Sequence, residues 1–179
     1  MTMTKLYKLV VTGPFNAGKT TFVETLSDIG TVNTDKATTR QAEAKVKPTT
    51  TVAMDYGRVK INANTAIRLF GTPGQDRFDF MRELLADGMH GFVFLVDSTD
   101  RRTLKQASEL LALFKKQANV PYLLVANKAD KKGLSCDEIK QVLKLPRKQP
   151  VVSCVATDRA SVRAVAEHLI SMIETKAQP

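Results

Sequence analysis

The sequence predicts an α/β protein, a mostly parallel sheet covered by helices on both faces. Short apolar runs alternate with amphipathic helical stretches along the 179 residues, the pattern of successive βα units. Two runs, GFVFLV (91–96) and YLLVA (122–126), are apolar on both faces, as buried parallel strands must be. TVAMDYGRVKIN and NTAIRLF crowd around Asn62-Ala63-Asn64, a hairpin signal that makes one pair antiparallel.

The elements follow in order. KLYKLVV (5–11) is the first of six strands and runs into GPFNAGKTT (13–21), then into the helical stretch FVETL (22–26). Residues 31–50, TVNTDKATTRQAEAKVKPTT, are polar and rich in Thr and Lys, with Val32 and Val46 to bury. A loop that long inside a compact domain points either to a disordered insertion or to a segment that orders on a ligand. TVAMDY, AIRLF and GFVFLV supply the next three strands. Leu104, Ala107, Leu111 and Phe114 then recur at helical spacing, PYLLVAN is the fifth strand and PVVSCV the sixth. Val162, Val165, Leu169 and Ile173 mark a final helix.

Composition narrows the class. Hydrophobic content of 43% and charged content of 25% are ordinary for a globular chain, and the length predicts one domain over 1–179. Two cysteines, Cys136 and Cys154, make no disulfide framework, which points to a reducing, cytoplasmic setting. The N-terminus does not read as a signal peptide, no apolar run approaches ~18 residues, and no lipidation signal is present. A net charge of +9 invites a nucleic-acid reading. The basic residues are nevertheless spread out, as in Lys115-Lys116, Lys131-Lys132 and Arg147-Lys148. No specific nucleic-acid partner is expected from charge alone.

GPFNAGKTT lies between a strand and a helix and matches G-x-x-x-x-G-K-[ST]. From Gly13 onward, the backbone N–H groups of Asn16, Ala17, Gly18, Lys19, Thr20 and Thr21 are placed to curl around a β-phosphate at a helix N-terminus. Lys19 then reaches the β and γ oxygens, and Thr20 offers its hydroxyl to Mg²⁺. This loop alone leaves kinases, ATPases and GTPases open. Asn127-Lys128-Ala129-Asp130, at the end of the fifth strand, separates them. A carboxylate there accepts from a base edge that carries both an N–H and an NH₂, as guanine does and adenine does not. A buried Asp130 facing adenine would stay unpaired, a mismatch that can cost ~10⁴-fold.

With GPFNAGKT, PTTTVAMDYG, GTPGQ, NKAD and SCVATD in this order and spacing, the chain resembles the Ras-like small GTPases over nearly its whole length. HGFVFLVDSTDRRT is similar to the Arf/Sar side of that superfamily, and FGTPGQ to its prokaryotic members. The resemblance implies a three-layer P-loop GTPase domain with a six-stranded mixed sheet, mostly parallel with one antiparallel strand. It implies GTP or GDP with Mg²⁺, a switch I over about 31–51 and a switch II over about 71–80. Thr51, or Thr50 beside it, resembles the switch I threonine that holds Mg²⁺ and senses the γ-phosphate. Gly74 resembles the switch II glycine that donates to the γ-phosphate, and Gln75 the amide that orients the attacking water. Val155, Ala156 and Thr157 resemble the last guanine loop, with the Ala156 N–H meeting the base oxygen and Ser153 and Cys154 supporting the turn.

Two departures qualify the resemblance. The family's switch II Asp, an outer-shell Mg²⁺ partner, is Gly71 here, so metal affinity is expected to be weaker unless Asp55 substitutes. Phe15 stands where many Ras proteins have glycine, crowding the entry of a partner's arginine. Hydrolysis is therefore expected to be slow, or assisted in cis by Arg40 or Arg77. The expected protein is a cytoplasmic, monomeric guanine-nucleotide switch that hydrolyses GTP and meets activating or exchange proteins at its switches. The alternative is a GTP-binding scaffold with little hydrolysis; charge alone suggests a third, RNA-associated reading. His90 and His168 sit in no metal-ligand cluster and are expected to be structural or surface groups.

Overall fold

The computed structural model describes residues 4–30, 32–33, 54–73 and 79–177. Strands β1 (Lys5–Thr12), β3 (Asp55–Asn62), β4 (Thr65–Gly71), β5 (Gly91–Asp97), β6 (Tyr122–Asn127) and β7 (Val151–Ser153) are the six the apolar runs predict. A two-residue strand β2 (Val32–Asn33) extends the edge, giving the order β2-β3-β4-β1-β5-β6-β7. From β4 to β7 every pairing is parallel. Strand β3 runs antiparallel to β4, and β2 to β3, with Asp55 opposite Gly71 and Arg58 opposite Arg68. The hairpin turns at Asn62–Asn64, as its sequence signals.

Alternation decides which face each strand residue covers. Leu9 and Val11 of β1 and Val93 and Leu95 of β5 join one core cluster. That cluster also contains helices α1 (Lys19–Leu26) and α5 (Arg159–Ala177), through Phe22, Val23 and Leu26 and through Val162, Val165 and Leu169. Val10, Phe92, Phe94 and Val96 face the opposite way, toward α2 (Asp79–Ala86), α3 (Arg101–Gln117) and α4 (Cys136–Val142). The product is the three-layer α/β fold with helices on both faces. Strand β3 begins at Asp55, within the TVAMDY run, and DYGRVKIN has one polar face. Gly57 and Val59 point inward while Arg58 and Lys60 are exposed.

Candidate functional site

The P-loop is shaped by two glycines that no other residue could replace without strain. Gly13 follows β1 at φ +142°, and a Cβ there would lie 2.1 Å from the Leu95 carbonyl oxygen of the neighbouring strand. Gly18 sits at φ +100°, where a Cβ would meet the Asn127 side-chain nitrogen at 2.3 Å. With Gly18 as N-cap, no side chain caps α1, as at a helix start that receives an anion. Lys19, 7% exposed, curls back to donate from Nζ to the Gly13 (2.8 Å) and Pro14 (2.7 Å) carbonyls. Of the expected phosphate donors, Ala17 N–H is turned into the loop onto Pro14 O (3.3 Å).

Asn127 joins the P-loop to the two loops at the far strand ends. It is 2% exposed; Nδ2 donates to Ala17 O and Oδ1 accepts from Ala156 N–H, both at 2.9 Å. The Ala156 amide is thus committed to Asn127 here, and the exposed Thr157 follows it in the loop. The sequence aims that amide at a base oxygen; in this structure it meets a side-chain acceptor 29 residues away. Cys154 is buried and accepts from Ser161 Oγ through Sγ, while Ala129 N–H donates to its carbonyl (3.1 Å). Val155 N–H is held by Ser161 Oγ (3.0 Å). Asp130, which the sequence predicts to be buried, is instead exposed at the rim of these loops.

Lys128 adopts φ +63° and turns its ammonium onto Asp97, the last residue of β5. Asp97 also accepts from Thr99 N–H (2.9 Å) and Thr99 Oγ1 (2.6 Å). Burial pushes this carboxyl up, yet the hydrogen bonds from Lys128 and Thr99 outweigh it and hold Asp97 below the usual carboxylate value. Asp97 was missed by sequence reasoning. Its only signal was a place in LVDSTD, since its pairing with Lys128 is a tertiary contact.

Strand β3 places a carboxylate beside Gly71. Asp55 lies directly opposite Gly71, and its Oδ2 accepts from the Thr20 hydroxyl at 2.7 Å. A Cβ on Gly71 would come within 3.0 Å of that same carboxylate oxygen. The carboxylate of Asp55 therefore fills space beside position 71, reaching Thr20 from the paired strand. A hydroxyl whose proton points to a carboxylate keeps an oxygen lone pair for a hard cation, so Thr20 and Asp55 fit Mg²⁺ as inner ligand and outer partner. Among the described residues no cluster of three or more His, Cys, Asp or Glu could hold a metal. Thr72, next in the chain, is anchored by its N–H to Val11 O (2.9 Å) and by its hydroxyl to Thr12 Oγ1 (3.0 Å).

Phe15 is 70% exposed on the P-loop. His90 accepts from Lys8 N–H (2.9 Å) and meets Tyr7 edge-on, and His168 is exposed. Thr50, Thr51, Gly74, Gln75, Arg40 and Arg77 lie outside the described residues, as do most of the two segments read as switches.

Comparison with known proteins agrees with this geometry. Residues 11–179 match the family described as "Conserved hypothetical ATP binding protein". An uncharacterized protein of Methanocaldococcus jannaschii is 35% identical over 133 residues, covering 74% of this chain and 76% of that one. ADP-ribosylation factor-like protein 3 of Saccharomyces cerevisiae is 29% identical, covering 76% of this chain and 67% of its own. Human ADP-ribosylation factor-related protein 1 is 30% identical, over 75% and 65% respectively. The chain thus spans about two thirds of the length of these Arf-like relatives. Among the described residues, no helix is long and apolar enough to cross a membrane. With P-loop, NKAD and SCVATD gathered at one edge of a three-layer sheet, the chain belongs to this family of nucleotide-binding proteins, within the Ras-like P-loop GTPases and similar to their Arf-like members.

Proposed function

We propose that the protein is a guanine-nucleotide switch that binds GTP and GDP with Mg²⁺ and hydrolyses GTP slowly. The observation that carries this reading is Asn127, which ties the P-loop to the loop of Ala156 while leaving Asp130 exposed beside them. That arrangement supports one ligand spanning phosphate and base subsites, with Asp130 accepting from a guanine edge. The family description names ATP, but an adenine amine gives Asp130 one donor where guanine gives two.

Lys19 exchanges its two loop carbonyls for phosphate oxygens, keeping the ammonium satisfied on either side of binding. Thr20 holds the metal, Asp55 holds the Thr20 proton, and Thr51 (or Thr50) joins from switch I. A metal held by Thr20 and the switch I threonine would supply charge neutralisation to the phosphate oxygens. Gly74 senses the γ-phosphate and Gln75 orients water, so positioning supplies most of the chemistry. Loss of phosphate releases both switches. The protein works as a single-domain monomer in the cytoplasm, and activating or exchange proteins meet its switches. Exposed Phe15 favours a second reading, a GTP-binding scaffold, because a ring there obstructs an incoming arginine.

Turnover separates the two readings. Lys19→Ala should abolish tight nucleotide binding, and Gln75→Leu should lower GTP hydrolysis while sparing affinity. Tight binding without turnover, even with cell extract added, would favour the scaffold.

A further inference from the structure

The excess positive charge is not evenly spread. Residues 110–129 and 139–157 contain no Asp or Glu at all, and the fold brings the middle of each stretch, residues 115–122 and 143–150, to one rim. The nucleotide loops follow the C-terminal ends of β1 and β6. The end of α3 and residues 143–150 instead lead into the N-terminal ends of β6 and β7, at the opposite edge of the sheet.

Contacts around Tyr122 join the two stretches there. Lys115 Nζ lies 5.6 Å from the Tyr122 ring centroid, Gln149 Nε2 donates to Tyr122 O (3.2 Å), and Lys140 Nζ donates to Arg147 O (2.6 Å). From α5, Lys176 Nζ reaches Asn119 O (3.0 Å). Lys115, Lys116, Lys144, Arg147, Lys148 and Lys176 are all exposed. Among the ion pairs of the described residues, none involves these six. Exposed aliphatic side chains lie on the same two helices, Leu113 at 41% and Val142 at 39%.

We propose that this rim is a docking surface for an anionic lipid bilayer, holding the nucleotide loops away from the membrane. Six cations without acidic partners fit a surface of negative headgroups, and aliphatic side chains between lysine stems suit the headgroup boundary. RNA is the less suitable occupant. The rim is made of helix ends rather than a groove, and its aromatic ring, Tyr122, is half-buried with Lys115 over its face, so no stacking platform is offered. The acids Glu83 and Asp87 line a cleft with Gln117, Ala118 and Val120, on the α2 side of this rim.

The test is sedimentation of the full chain with phosphatidylcholine vesicles, with and without phosphatidylserine. The protein should sediment with the phosphatidylserine vesicles only, and should be released as salt rises from about 0.1 to about 1 M. Lys144→Glu/Arg147→Glu/Lys148→Glu should lower partitioning by about a hundredfold or more. Lys115→Glu/Lys116→Glu should also lower it, which guards against one poorly folded variant. Arg58→Glu/Lys60→Glu/Arg68→Glu changes net charge as much on the β3–β4 hairpin and should lower partitioning far less. Nucleotide affinity should stay unchanged in all three. Equal loss in the hairpin variant, no vesicle binding by the wild type, or retention of a mixed-sequence RNA in preference to vesicles would each overturn the proposal.

Discussion

Asp55 and Gly71 face each other across an antiparallel pair, and the Asp55 carboxylate lies where a side chain at 71 would extend. Replacing Asp55 by Ala should therefore weaken Mg²⁺-dependent nucleotide retention by about ten- to a hundredfold, read by titrating Mg²⁺ against nucleotide release. Combining Asp55→Gly with Gly71→Asp should restore much of the loss, since removing the Asp55 side chain frees the 3.0 Å gap that a Cβ at 71 needs. No effect of Asp55→Ala would place the metal elsewhere. Asp97 makes a second test. Asp97→Asn keeps an oxygen for both Thr99 bonds but presents an amide to Lys128. Guanine-nucleotide affinity should fall roughly tenfold or more, and Lys128→Met should make the two changes non-additive in binding measurements. Additive losses would mean that Asp97 acts independently of Lys128. Of these two aspartates, Asp55 was legible as a candidate because its strand borders the segment read as switch I. Asp97 was not, because nothing local to LVDSTD announces a partner 31 residues on.

Strands and loops were legible wherever a local signal dictates a local geometry. GFVFLV and YLLVA are buried on both faces because helices cover both sides, and continuous hydrophobicity records that directly. The P-loop glycines were readable as a motif, but their reasons are tertiary, a carbonyl of β5 and an amide of β6. Helix α4 passed unremarked although Ser135 and Glu138 form a capping box at its start, the one clear local sign for a seven-residue helix. Asn127→Ala should show how the loop elements depend on one another. It would strand the buried Ala17 carbonyl and Ala156 N–H, at a cost of about 1–3 kcal/mol for each group left unpaired. Urea unfolding without nucleotide should report that loss; an unchanged midpoint would mean the three loops are held together by other contacts.

For the whole molecule, acid should act through a few carboxylates. Asp97 is held low mainly by Lys128 and Thr99 against burial, Glu138 by the Ser135 N–H, and Glu174 by Lys5 and Tyr7. Each has a folded pKa below its unfolded value. Their stabilisation is thus present above the ordinary carboxylate range and is lost as pH falls through the lowered values. Unfolding free energy should be flat above about pH 5 and decline below about pH 4, less steeply in Asp97→Asn. An identical acid slope in that variant would remove Asp97 from the account. The central claim concerns the base. Equilibrium binding of GDP, GTP, ADP and ATP to the purified protein with Mg²⁺ tests it most directly. Guanine nucleotides should bind more tightly than adenine nucleotides by about a hundredfold or more, less than a fully buried acceptor would give because Asp130 is exposed. Equal or tighter binding of ATP would contradict it, leaving the P-loop in place and removing Asp130 as the residue that selects the base.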